Sequence, residues 1–221
     1  MVRRRRVAFW CIRTWARILC TLYGVRVSTR YPRDVAIDFD EPMVFMSNHL
    51  STFDIMALHA VLPNALWVVK RELFRAPFLG WIIWAVGYIG VGRNGNDHAA
   101  IRKFSNINRM LEKLECSLLF FPEGHRSRDG KLQAFKKGAA RTAIQNQLPI
   151  LPIAISGTFE IMGPGNLLRP VAGHVTVSFG TPMQPVNLSA ILNKKVHLAI
   201  EAMLRDQRRE VQTHLRAVNS D

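Results

Sequence analysis

The feature that most constrains this 221-residue chain is an alternation of short apolar runs with helix-length stretches, kept up along most of its length. Runs at 25–29, 43–47, 66–69, 88–91, 117–121, 150–155 and 175–179 read as strands. Segments 52–61, 77–86, 97–115 and 138–146 read as helices, and a last amphipathic helix starts near 188 and reaches about 215. Two of the strand runs, Ser117-Leu-Leu-Phe-Phe121 and Ile150-Leu-Pro-Ile-Ala-Ile155, lack the polar alternation of a half-exposed strand, so they require cover on both faces. Strands of that kind separated by helices imply βαβ units. The expected fold is therefore α/β: a single domain with a mostly parallel, roughly seven-stranded sheet flanked by helices. With 48% hydrophobic and 21% charged residues, the composition excludes a disordered, collagenous or coiled-coil chain.

Charge is distributed unevenly. The formal net charge is +14, and residues 1–33 hold nine of the 30 basic residues and no acid. That arm implies an anionic surface as its partner, either membrane lipid or nucleic acid. No nucleic-acid motif or stacking platform accompanies the charge, so nucleic acid is not an expected partner and anionic membrane lipid is. On a helical wheel Arg6, Arg13 and Arg17 share one face, and Val7, Cys11, Ile12, Trp15, Ile18, Leu19 and Leu22 share the other. The helix is too interrupted to span a bilayer, which takes about 20 mostly apolar residues, but it suits the interface. Residues 1–24 are accordingly expected to be a basic amphipathic membrane-association helix and 25–221 the domain that carries the chemistry. The alternative is a first helix packed on the core with solvated arginines. Because Arg13 and Arg17 break the apolar stretch and no small-residue cleavage site follows, the segment is expected to be retained. Residues 78–92 carry no charge, and read as a buried helix, a turn and a strand with a shallow membrane contact. Three cysteines without paired spacing argue against a disulfide framework or a structural zinc site.

The sharpest chemical signal is Asn48-His-Leu-Ser-Thr-Phe-Asp54, where an apolar strand passes into a helix. In an α/β sheet this junction is where sites are built. A histidine just before the helix can meet a carboxylate in its first turn, which would fix the imidazole tautomer and make His49 a general base. On spacing alone, Asp54 could equally serve only the positive end of the helix. The second signal, Phe121-Pro-Glu-Gly-His-Arg-Ser127, also follows a buried strand, and its glycine turn presents Glu123 and Arg126, the latter suited to bidentate phosphate binding. An ordinary surface loop with paired charges is the plainer reading of that segment alone. Phe135-Lys-Lys-Gly138 adds a basic stretch before the next helix.

Taken in order, these segments resemble the glycerolipid acyltransferase family, in its bacterial 1-acylglycerol-3-phosphate acyltransferase branch. The first family block, His-x4-Asp, is matched at His49 and Asp54 behind Asn48. The second resembles Lys70-Arg-Glu-Leu73, Pro77-x-x-Gly80 and Gly87-Tyr-Ile-Gly-Val-Gly-Arg93, with Gly90 and Gly92 standing where larger or acidic residues are usual. Phe121-Pro-Glu-Gly124 with Arg126-Ser127 matches the third, with His125 in place of the common threonine. The fourth is Leu151-Pro152-Ile-Ala-Ile-Ser-Gly157. The resemblance implies transfer of an acyl group from acyl-CoA or acyl-carrier protein to the sn-2 hydroxyl of lysophosphatidic acid, forming phosphatidic acid. A lyso-ornithine lipid or another lysophospholipid is the alternative acceptor, and a non-catalytic anionic-surface binder the competing class. His49 would be the base and Asp54 its orienting partner. Arg126 and Arg93 would hold the acceptor phosphate, and Glu123 would contact the glycerol or order Arg126 on the Gly124 turn. Lys70 would touch the oxyanion or the phosphate, and Pro152 to Gly157 would line the acyl-donor site. No cofactor and no metal are implied. The location implied is the cytoplasmic face of the bacterial inner membrane, as a peripheral or monotopic protein.

Overall fold

Each strand expected from the sequence is present, and the seven join one sheet in the order β1-β7-β6-β2-β5-β3-β4. The computed structural model describes residues 2–77, 79–92, 102–163 and 170–218. The strands are β1 (Val25–Arg30), β2 (Val44–Ser47), β3 (Ala65–Lys70), β4 (Ile89–Val91), β5 (Ser117–Phe120), β6 (Ile150–Ser156) and β7 (Gly173–Phe179). The helices are α1 (Val2–Leu22), α2 (Phe53–Val61), α3 (Leu79–Val86), α4 (Ile107–Leu114), α5 (Gly138–Asn146), α6 (Thr158–Ile161) and α7 (Ser189–Val218). Strands β2 to β6 pair in parallel, whereas β7 runs antiparallel to β6 and carries β1 parallel to itself. The reversal sets two strands of the otherwise parallel sheet against the other five.

The three central strands are apolar throughout because both of their faces are covered. Every residue of β2 and β5 is buried, as are the first six of β6. Phe45, Leu118, Leu119, Leu151 and Ile153 have no measurable exposure and anchor the core. From β2 the chain crosses one way to β3, and from β5 it crosses the other way to β6. The loops that leave β2 and β5 therefore open side by side at their C-terminal ends, the position of the ligand crevice in open α/β sheets.

Three local departures have identifiable causes. Segment 97–115 reads as one helix in sequence, yet among the described residues it is helical at 102–104, turns at 105–106 and resumes as α4. Asn146 of α5 donates to the Phe104 carbonyl at 2.8 Å, taking an acceptor that a continuous helix would use itself. At Gly90 the ring of Phe74 lies so close to the strand that a Cβ would sit 2.9 Å from it. Helix α1 docks through Phe9, Ala16 and Cys20, all buried in the core. Its arginines also reach the domain: exposed Arg17 donates to the Ala60 carbonyl at 3.0 Å, half-buried Arg13 reaches Asn64 at 3.5 Å, and exposed Arg6 pairs with Glu115. The outward ridge is apolar, with Val7, Trp10, Trp15, Ile18 and Leu22 exposed. Arg6 and Arg17 keep their exposure at the edge of the docked face, where fully buried Ala16 lets α2 approach.

Candidate active site

The first motif folds as a helix start of a particular kind. Ser51 Oγ accepts the Phe53 N–H at 3.0 Å while the Asp54 carboxylate accepts the Ser51 N–H at 2.8 Å, so the loop just ahead of α2 is closed by the first-turn carboxylate. The same Asp54 oxygen, Oδ2, also accepts the Leu50 N–H at 2.7 Å and meets His49 Nδ1 at 2.8 Å. Loop closure and imidazole orientation are thus one structure: the spacing His-x4-Asp bends the loop back so that one oxygen serves both. Asp54 is fully buried, and the His49 side chain is 15% exposed. With Nδ1 engaged, Nε2 on the far side of the ring is the nitrogen available to a substrate proton.

The second motif holds this histidine in place. Glu123 is 1% exposed, and its two oxygens accept the backbone N–H of His49 at 2.7 Å and of Gln133 at 2.9 Å. Burial pushes its carboxyl up to about 7, against the two backbone hydrogen bonds and with a contribution from the Asp54 charge. Ser127 donates its backbone N–H to the His49 carbonyl at 2.8 Å, so the second motif grips the His49 main chain on both sides. The Phe121 ring stacks on the His49 imidazole, centroids 3.9 Å apart. Behind Phe121 come Trp67, His59 and Tyr88, an aromatic column that braces it. Burial, then the Arg13 charge, holds His59 down at about 3, so it stays neutral, with Tyr88 Oη 3.0 Å from its Nε2.

Other residues singled out by sequence are distributed around this centre. Arg126 is exposed and donates to Thr52 Oγ1 at 2.5 Å, which places its guanidinium beside the helix start. Gly124 adopts φ +74 in the turn, with the Lys136 side chain lying over it. Lys70 ends β3, exposed, at the same end of the sheet. Arg93 lies outside the described residues. Pro152 is buried inside β6, in register with Met46 of β2. Gly157 adopts φ +89, and a Cβ there would sit 2.1 Å from the His174 carbonyl, so only glycine allows this approach. Among the described residues no group of three or more His, Cys, Asp or Glu side chains could hold a metal ion.

Three contributors had no role in the sequence reading. Asn48 bridges from β2 to β6, donating to the Ile155 carbonyl at 2.9 Å and accepting the Ile155 N–H at 2.8 Å. Phe121 supplies the stacking ring, and Thr158 reaches Asp54 from α6. Asn48 and Phe121 stand inside the motifs and their side-chain types were visible. Thr158 lies three residues past the last strand position assigned there, and its partner is 104 residues away.

Comparisons with known proteins place the chain in a family. Residues 24–156 match the family model described as Acyltransferase. A 1-acyl-sn-glycerol-3-phosphate acyltransferase of Salmonella typhimurium is 31% identical over 201 residues, covering 90% of this chain and 74% of that protein. One from Limnanthes douglasii is 35% identical over 142 residues, covering 63% of this chain and 50% of its own length. The chain thus spans about half the length of that plant relative. The crystal structure of a 1-acyl-sn-glycerophosphate (LPA) acyltransferase from Thermotoga maritima superposes with a TM-score of 0.76 at 24% identity, over 92% of this chain and 81% of that one, a likeness of fold.

Proposed function

This chain belongs to the acyltransferase family, and we propose that it acts as a 1-acyl-sn-glycerol-3-phosphate acyltransferase, moving an acyl group from a thioester to the free hydroxyl of lysophosphatidic acid. The observation that carries this reading is the His49–Asp54 pair, anchored on buried Asp54 at the mouth between β2 and β5, with Nε2 free of the carboxylate. His49 Nε2 takes the proton from the acceptor hydroxyl as its oxygen attacks the thioester carbonyl. The tetrahedral intermediate collapses with cleavage of the carbon–sulfur bond, and the thiolate leaves with the proton that His49 returns. Asp54 keeps the proton on Nδ1 and stabilises the imidazolium between the two transfers. The acceptor is itself the nucleophile, so no acyl-enzyme forms. Arg126, together with Arg93 and Lys70, supplies cations for the acceptor phosphate. Glu123 serves by holding His49, since both of its oxygens are taken by backbone N–H groups.

The proposed setting is a membrane surface rich in anionic lipid. Among the described residues no helix is long and apolar enough to cross a membrane. What supports peripheral binding is a pair of neighbouring helices with apolar outer faces: Trp10 is 65% exposed on α1, and Trp84 is 77% exposed on α3. The two helices pack together, with the Arg5 guanidinium against Gly87 at the end of α3. Replacing both Trp10 and Trp84 by serine is expected to cut flotation with phosphatidylglycerol vesicles several-fold. Unchanged flotation would remove these helices from the membrane contact.

Catalysis is tested with purified protein, offering acyl-CoA and then acyl-carrier-protein thioester to lysophosphatidic acid, a lyso-ornithine lipid and a lysophospholipid. Phosphatidic acid from the first acceptor, in preference to product from the others, is the expected result. Preference for another acceptor would reassign the substrate, and the absence of product from every donor and acceptor would reject the enzyme.

A further inference from the structure

Asp54 has a second oxygen that the pairing with His49 does not use. Oδ2 is occupied by His49 and two backbone N–H groups, while Oδ1 points to the buried side and accepts the Thr158 hydroxyl at 2.5 Å. Thr158 is fully buried at the start of α6. Its position is determined from two directions. Asn48 ties the end of β6 to the end of β2 through both backbone groups of Ile155, and Gly157, pressed on the His174 carbonyl, makes the sharp turn that directs Thr158 back toward Asp54. A carboxylate oxygen only accepts, so the Thr158 hydroxyl must donate to it.

We infer that Thr158 is a positioning residue for the proposed acyl transfer, fixing the rotation of the Asp54 carboxylate so that Oδ2 stays on His49 Nδ1 and Nε2 stays free for the acceptor's proton. The inference rests on the acyltransferase reading for its rate test, but its structural half stands alone. Without the hydroxyl, Oδ1 is left in a buried space with no donor, and the carboxylate regains a donor only by turning. Turning withdraws Oδ2 from the imidazole and admits the other tautomer, with the proton on Nε2 and no base facing the acceptor. The residue that directly follows the last sequence block thereby acts on the catalytic pair from behind.

Two readouts separate this role from a merely structural one. Thr158→Val, nearly the same shape, is expected to lower kcat about tenfold to a hundredfold with KM for both substrates within about twofold, and Thr158→Ser to recover kcat to within about threefold of the wild type. Nitrogen-15 NMR of the His49 ring is expected to show the Nδ1–H tautomer in the wild type and the serine variant, and a mixture in the valine variant. If the valine variant does not fold, Thr158→Ala against Thr158→Ser makes the same comparison of hydroxyl absent with hydroxyl present. An unchanged kcat, a loss confined to KM, or a His49 tautomer indifferent to the hydroxyl would each overturn the inference. A tautomer that follows the hydroxyl in a protein without lysophosphatidic acid acyltransferase activity would support the positioning role and reject the substrate instead.

Discussion

Replacing His49 by alanine is expected to lower kcat for acyl transfer by about 10²- to 10⁴-fold, the range for loss of a general base. The protein should remain folded. Asp54 keeps three of its four hydrogen bonds when the imidazole is gone, those from Leu50, Ser51 and Thr158. The His49 backbone, held by Glu123 and Ser127, is untouched by the substitution. What is lost structurally is the stacking on Phe121, about 0.5–1.5 kcal/mol for a ring pair of this kind. Turnover and thermal unfolding of the two proteins side by side make the check. A variant that retains activity within threefold would show that another group takes the proton, and a variant that unfolds early would show that the imidazole is a structural element first.

The next largest effect is expected from Glu123→Gln. A carboxylate offers two acceptors, and here each faces a backbone N–H. An amide offers one acceptor and one donor, so one N–H, on His49 or on Gln133, is left facing an N–H inside the protein. An unsatisfied buried donor costs about 1–3 kcal/mol. If the loop carrying His49 relaxes in response, a shift of about 1 Å lowers the rate by roughly a hundredfold. The effect on stability also depends on pH, with a sign set by the raised carboxyl. Glu123 binds its proton more tightly folded than unfolded, so its contribution is fully present below about 4.5 and is lost as pH rises through about 7. That loss, on the order of 3 kcal/mol, is absent from the glutamine variant. Urea unfolding at pH 5 and pH 8 should therefore show the wild type's advantage over Glu123→Gln shrinking at the higher pH. An advantage constant across that interval would contradict the raised carboxyl.

How far the site is legible in sequence depends on how far apart its partners lie. The pairing of His49 with Asp54 is local, five residues across a strand-to-helix junction, and the oxygen of Asp54 that meets the ring also closes the loop ahead of the helix. Glu123 is visible as a charge on a glycine turn, but its use is not, because a glutamate at a strand end reads the same whether it meets substrate or a neighbouring backbone. The neighbour in question is β2, placed beside β5 by the sheet order alone. Thr158 carries no signal of its own. A threonine after a strand is ordinary until α6 is seen to set it under Asp54.

The amphipathic first helix shows the same division. Its periodicity determined that one side is apolar and the other basic, as any 3.6-residue repeat would. Which side faces the protein was decided by docking: Phe9, Ala16 and Cys20 enter the core beside α2, and the arginines find carbonyl and side-chain partners there. Sequence by itself determined what neighbours along the chain can settle, namely the seven strands, most of the helices between them, the α/β class and the His49–Asp54 spacing. Tertiary structure decided what depends on pairing across the sheet: the reversal of β7 and β1, the grip of Glu123 on His49, and the support of Asp54 from α6. Local pattern carries information about burial and backbone conformation, whereas the partner of a buried polar group is chosen by whichever strand end the topology brings within 3 Å of it.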